Sequence, residues 1–229
     1  SAISLSHIFS DIIDLEKIDA RRIELNRKET DLYALLNDIS NFAVLIAGEK
    51  HLEFRLICPP ILPNWLMLDG VRLSQILWNL ITNAVKFTPQ GSVTLSIEQT
   101  AEDEFAIRVT DTGIGIAEAD LEKVFELYYQ VDSHHYKSLG SGIGLSISKT
   151  IAQLMDGDLT VSSELGKGST FLLTFKAKEA QQPVESSNKV PLKLRILLVE
   201  DIEVNIVVAK SMLQKLGYQI DVAMTGTEA

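Results

Sequence analysis

Residues Leu73–Thr88 read LSQILWNLITNAVKFT. Leu73, Ile76, Leu77, Leu80, Ile81, Val85 and Phe87 recur mostly three and four apart, the period of a helix with one apolar stripe. Asp69 stands ahead of the run as a helix start, and Pro89 requires the helix to end before it. Asn79 and Asn83 interrupt this reading. Four residues apart, they share one helix face, with Lys86 close by. A carboxamide on such a face has two uses: it hydrogen-bonds a neighbouring loop, or its oxygen ligates a hard cation. The helix alone leaves both open.

Three glycine-bearing stretches bear on the choice. Val109-Thr110-Asp111-Thr112-Gly113-Ile114-Gly115-Ile116 is a β-branched run that ends in an acid and two glycines, as a strand entering a tight loop does. Gly140-Ser141-Gly142-Ile143-Gly144-Leu145-Ser146-Ile147 opens a helical period, and its glycines let backbone approach a ligand. Gly166-Lys167-Gly168-Ser169-Thr170-Phe171 is a glycine turn leading into a β run. Two common glycine motifs fail on spacing. A P-loop ending in Gly166-Lys167 needs glycine at 161, where Val161 stands, and a dinucleotide fingerprint needs one three beyond Gly142, where Leu145 stands.

In this order the asparagine helix and the three stretches resemble the N, G1, G2 and G3 boxes of the histidine-kinase ATP-binding domain, and Phe125-Glu126-Leu127-Tyr128-Tyr129-Gln130 resembles its F box. The resemblance covers roughly residues 1 to 178. Residues from Ile196 onward, ILLVEDIEVNIVVAKSMLQKLGYQIDVAMTGTEA, resemble the opening of a response-regulator receiver domain. Together they resemble a hybrid sensor histidine kinase.

That resemblance implies a site. Asn79, Asn83 and Lys86 would form its catalytic set, with the Asn83 oxygen on Mg²⁺, Asn79 supporting it or facing a phosphate, and Lys86 facing a phosphate or solvent. Asp111 would accept a hydrogen bond from the adenine amino group of ATP, with Gly113, Gly115 and Ile116 passing the base. Phe87 or Tyr129 would pack on purine or ribose, or serve as ordinary core aromatics. Gly140, Ser141, Gly142, Ile143, Gly144 and Leu145 would bring backbone N–H groups and a helix N-terminus to the phosphates, a natural anion site. Thr170, with Ser169, would reach the Asp111 region. Glu200 and Asp201 resemble the metal-binding acids of receivers.

Composition sets outer limits. A formal net charge of −10 argues against a nucleic-acid surface, which needs clustered Lys and Arg, and requires local compensation at any triphosphate site. The single cysteine, Cys58, excludes an internal disulfide. No apolar run reaches the roughly 18 residues of a membrane span, so direct membrane contact is not expected of this piece. It reads as a cytoplasmic fragment. The resemblance implies a full-length protein in the bacterial inner membrane.

Along the chain, residues 1–22 read as the second helix of a dimerisation and phosphotransfer hairpin. His7 lacks the following acid and proline of a phospho-acceptor, so the acceptor helix is expected to lie outside this sequence. Residues 23–178 form the ATP-binding domain: a strand over 23–28, a helix from Asp31 to Glu49, a strand over 52–57, and a proline loop through Pro59, Pro60 and Pro63. After the asparagine helix come strands over 92–99 and 105–110, a short helix over 117–124, and a polar stretch over 131–141 that reads as a lid. A helix over 142–155 and strands over 159–163 and 170–176 follow. The fold class that the resemblance implies is an α/β two-layer sandwich of a mixed sheet and three helices. Residues 179–192 read as a linker and 193–229 as a truncated, doubly wound receiver whose first two strands are 196–199 and 219–223.

The implied function is phosphotransfer from MgATP to a protein histidine in two-component signalling. Its partners would be the acceptor hairpin of the full-length kinase and a response regulator and receiver downstream. A hydrolytic relative of the gyrase or chaperone type is the first alternative; those enzymes carry a glutamate base where Asn79 stands. A nucleotide-sensing module that transfers no phosphate is the second.

Overall fold

A computed structural model describes residues 24–130, 142–182, 195–199 and 219–223. The described residues fall into two units: residues 24–182, and a small strand pair near the C-terminus.

In the first unit five strands form a mixed sheet, ordered β2 (Glu53–Ile57), β4 (Ser92–Ala101), β5 (Glu104–Asp111), β7 (Gly168–Lys176) and β6 (Asp158–Glu164). Only β2 and β4 run parallel. The alternation legible in the sequence decides the faces: Val93, Leu95 and Ile97 of β4 and Phe171, Leu173 and Phe175 of β7 are buried, with half-exposed residues between them. Helices α1 (Leu32–Glu49), α2 (Gly70–Phe87) and α3 (Gly144–Leu154) complete the second layer, and their apolar stripes join the sheet's buried face in one core. The two-layer sandwich of a mixed sheet and three helices is thus the observed fold.

Helix α2 holds the centre of that core. Leu73, Ile76, Leu77, Leu80 and Ile81 are each fully shielded. At its start the Asp69 carboxylate accepts from the backbone N–H of Arg72 at 3.1 Å and of Asn26 at 2.9 Å, so one buried acid caps the helix and ties down the incoming chain. At its end Lys50 donates to the carbonyls of Val85 and Lys86, each at 2.9 Å, satisfying acceptors the helix cannot. Asp31 caps α1 in the same way through Ala34 N–H at 2.9 Å.

Four local expectations are revised. The first strand, β1, spans Lys28–Asp31 instead of 23–28, because its partner is β3 (Trp65–Leu68) and the register Lys28↔Leu68 to Asp31↔Trp65 fixes its place. Strand β3 itself was hidden behind three prolines. The helix expected over 117–124 is two 3-10 turns, Glu118–Asp120 and Lys123–Phe125; only Val124 is buried, too little apolar surface to support an α-helical nucleus. The linker begins later than 179, since β8 (Lys178–Glu179) pairs with β3 and Ala180 N–H donates to Trp65 O at 2.9 Å.

In the second unit β9 (Arg195–Val199) and β10 (Gln219–Ala223) pair in parallel, with Ile196 opposite Ile220. The expected N-terminal helix with His7, the 131–141 stretch with Gly140 and Ser141, and the acids Glu200 and Asp201 lie outside the described residues. No helix among the described residues is long and apolar enough to cross a membrane.

Candidate functional site

Asp111 ends the central strand β5 and is only 6% exposed. Burial raises its pKa, and the backbone N–H groups of Gly113 and Ser169 oppose the rise by donating to the carboxylate. The Gly113 bond measures 2.8 Å, to Oδ1. An ionised carboxylate offers about four lone-pair sites, so two backbone donors leave acceptor capacity on a group already stripped of most water. Such an arrangement suits a ligand that brings its own N–H donor.

The loop after Asp111 is sewn to its surroundings on both sides. Ile114 N–H donates to Phe87 O at 3.1 Å, at the end of α2, and Gly166 N–H donates to Ile114 O at 2.7 Å, from the β6–β7 turn. Ile116 N–H donates to Ser163 Oγ at 2.8 Å, and that hydroxyl donates to Gly168 O at 2.7 Å. The glycines here meet protein on the side a Cβ would occupy. At Gly113 it would lie 2.4 Å from Phe87 O, and at Gly115 (φ +71°) 2.1 Å from Glu164 O. Their first use is thus close packing of the loop on neighbouring backbone, where the sequence suggested room for a base. Thr170 faces Thr110 across the sheet, hydroxyl to hydroxyl at 3.1 Å, next to Asp111.

The second half of the site lies between α2 and α3. Asn83 Nδ2 donates to Asn79 Oδ1 at 3.2 Å, and Asn79 Nδ2 donates to Ser148 Oγ at 2.9 Å. Both ends of the Asn79 amide are therefore committed within the protein, while the Asn83 bond uses only its nitrogen. One turn beyond Asn83, the Lys86 ammonium lies 4.6 Å above the Phe87 ring, and burial, then repulsion from Lys50, lowers its pKa. Gly142 (φ +70°) packs against the Tyr128 backbone, and Tyr128 N–H donates to Gly142 O at 2.9 Å. Ile143 is the N-cap of α3, which starts at Gly144, and its side chain makes no cap hydrogen bond. The N–H groups of Gly144 and Leu145 stand at the positive end of this helix.

Two expected residues serve structure first. Tyr129 donates its hydroxyl to Asp120 Oδ1 at 2.7 Å. Phe125, in the same segment, packs edge-on against Phe171 with ring centroids 6.5 Å apart, and Lys149 Nζ lies 4.6 Å from its centroid. Ser148 and Ser163 escaped the sequence reading, whereas Ser169, expected near Asp111, donates its backbone N–H to that carboxylate. Ser148 was detectable in principle, since it interrupts the apolar stripe of Ile147 and Ile151 as the asparagines interrupt that of α2.

This geometry is that of a known domain. The family described as "Histidine kinase-, DNA gyrase B-, and HSP90-like ATPase" matches residues 68–179, which hold Asn79, Asn83, Asp111 and the glycine loops. Residues 68–179 belong to that family. This histidine-kinase-type ATPase domain lies in a chain 48% identical over its whole length to the "Aerobic respiration control sensor protein ArcB" of Escherichia coli. It is 62% identical over 155 residues to the ArcB homolog of Haemophilus influenzae, covering 68% of this chain and 47% of that protein. It is also 37% identical over 97% of its length to the "Autoinducer 2 sensor kinase/phosphatase LuxQ" of Vibrio vulnificus. The chain spans 30% of the Escherichia coli relative and 27% of the Vibrio one. Among solved structures, full-length ShkA in complex with AMPPNP matches 97% of this chain and 46% of its own with a TM-score of 0.69 at 27% identity. The mycobacterial sensor histidine kinase MprB shares the fold, at a TM-score of 0.56, 21% identity, and coverage of 67% of this chain and 99% of that one.

Proposed function

We propose that the ATPase domain binds ATP with Mg²⁺ and holds it for phosphotransfer to a protein histidine, as one component of a hybrid sensor kinase in two-component signalling. The observation that carries this reading is the Asn83–Asn79–Ser148 chain: a carboxamide bonded at both ends stands where the hydrolytic relatives of the fold carry a base. A neutral amide takes no proton from water, so the residues favour positioning over hydrolysis.

The donor set fits the nucleotide. Asp111 offers a buried carboxylate to an exocyclic amino group. The first turn of α3 offers N–H groups to phosphate oxygens, and Asn83 offers an amide oxygen to a cation that ordinarily takes one or two protein ligands and the phosphates. Lys86, with its lowered pKa, adds a nearby positive charge in a protein of net charge −10. When bound, MgATP supplies the phosphoryl group and the charge neutralisation for its transfer. Phe87, Tyr129 and Thr170 are assigned to the rim of the base site, and Gly140 and Ser141, outside the described residues, to the phosphate side. The acceptor histidine belongs to a helix hairpin, with a response regulator or receiver downstream. Glu200 and Asp201 are assigned to the receiver's metal site.

Incubation with γ-labelled ATP and Mg²⁺ tests the reading. The chain alone should label none of its histidines. Adding the acceptor hairpin should give acid-labile, histidine-bound label. Steady release of labelled phosphate without the hairpin would instead establish the hydrolase, and binding with neither outcome the sensing module. Asp111→Asn should lower ATP affinity at least tenfold, about 1.4 kcal/mol, because an amide can turn a donor toward the base. A calorimetric titration with unchanged affinity would remove Asp111 from the base site.

A further inference from the structure

We infer that Ser148 is a positioning residue that acts through Asn79 to aim the Asn83 oxygen at the metal, an inference resting on the magnesium role proposed for Asn83. Ser148 is 2% exposed, on a helix face that otherwise buries Ile147 and Ile151. A hydroxyl so placed must be hydrogen-bonded or cost stability, and here it accepts from Asn79 Nδ2.

The consequence lies in the direction of the chain. A carboxamide has a donor end and an acceptor end. With its nitrogen turned to Ser148, Asn79 presents its oxygen to α2's next turn, and Asn83 must answer with nitrogen. The Asn83 oxygen is then the end left for a ligand. Reversing Asn79 reverses Asn83 as well, which would present an NH₂ group to the cation. A metal site built on one amide oxygen needs the Asn79 amide held in this orientation, and the Ser148 hydroxyl holds it by accepting from Nδ2 while Oδ1 accepts from Asn83.

A second contact holds the same side chain. A Cβ on Gly144, one turn before Ser148 on the same face, would stand 2.5 Å from Asn79 Oδ1 and 3.1 Å from its Nδ2. Gly144 thus leaves the space in which the Asn79 amide lies, while Ser148 binds its nitrogen. Two residues four apart on α3 clamp the first of two residues four apart on α2. The Ser148 hydroxyl, unlike the Gly144 N–H, is assigned no contact with the nucleotide, so the effect of removing it should appear only where Asn83 matters.

The experiment compares AMPPNP affinity with and without Mg²⁺ by calorimetry for wild type, Ser148→Ala, Asn83→Ala and the double variant. Ser148→Thr and Ser148→Val form an isosteric pair that differs in the hydroxyl and burdens the core equally. Ser148→Ala and Ser148→Val should reduce the magnesium enhancement about fivefold, the scale of one lost neutral hydrogen bond, with metal-free affinity unchanged. Ser148→Thr should stay within about twofold of wild type, well inside that scale. In the double variant, Ser148→Ala should add nothing to Asn83→Ala. In the ligand-free domain, NMR should show the Asn83 side-chain amide protons losing exchange protection in Ser148→Val but not in Ser148→Thr. If Asn83→Ala loses the enhancement while Ser148→Ala and Ser148→Val keep it, the positioning role is wrong and the metal assignment stands. If Asn83→Ala itself keeps the enhancement, the metal assignment falls, and the NMR comparison still decides whether Ser148 sets the amide direction.

Discussion

Asn83→Ala is expected to abolish the part of ATP binding that depends on Mg²⁺. The substitution removes the one amide oxygen that the Asn79 bond leaves to a ligand, yet it spares the stripe of Leu73, Ile76, Leu77, Leu80 and Ile81 that holds α2 in the core. Alanine also has the higher helix propensity, so the fold should be retained or slightly strengthened. Adenosine binding should survive, because Asp111 and its backbone donors sit on another element. The measurement is a pair of titrations, MgATP and metal-free ATP, on wild type and variant. Equal enhancement by magnesium in both would show that the cation is held by other groups.

Gly168→Ala is expected to destabilise the domain by about 3 kcal/mol or more, in the range of strained backbone combined with overpacking. Gly168 has φ +107°, and an added Cβ would lie 2.0 Å from Asp111 O and 2.9 Å from Thr112 Cα. Backbone on the opposing strand cannot step aside as a side-chain tip can. Any relaxation moves Asp111, so nucleotide affinity should fall along with stability. Gly166→Ala two residues earlier is the control: its φ is +82°, but nothing lies within 4 Å, so only the left-handed backbone penalty of about 1–2 kcal/mol applies. Urea unfolding of the two variants should separate them by more than 1 kcal/mol. Equal midpoints at equal slopes would mean that the β7 entrance yields without cost.

Which parts were legible in sequence follows from the range of the interactions. Helix α2, with its Asp69 cap and its end before Pro89, is written in a period of three and four residues that any reader of the chain can count. The alternation of β4 and β7 is equally local, as are the spacings of Asn79 with Asn83 and of Gly142 with Gly144. These gave the elements and, through the family resemblance they carry, the expected fold class and site. Strand β3 and its partners β1 and β8 were not legible as a sheet, because four, four and two residues carry almost no period and exist as strands only through pairing across 34 to 113 positions of chain. The turns at 118–125 lacked the buried surface that a helix needs.

The same distinction applies inside the site. Sequence could say that glycine stands at 113, 115, 144 and 168, but not what each glycine makes room for. Folding brings Phe87 O, Glu164 O, the Asn79 amide and Asp111 O to those four positions, from segments 26 to 65 residues away. Sequence could also say that two asparagines share a face. The bond that the first of those amides makes beyond its own helix goes to a hydroxyl on another helix, 69 residues from Asn79. Local periodicity determined which elements form and which residues face inward; hydrogen-bond direction and steric fit are properties of atoms met across the fold, and only the tertiary structure decided them.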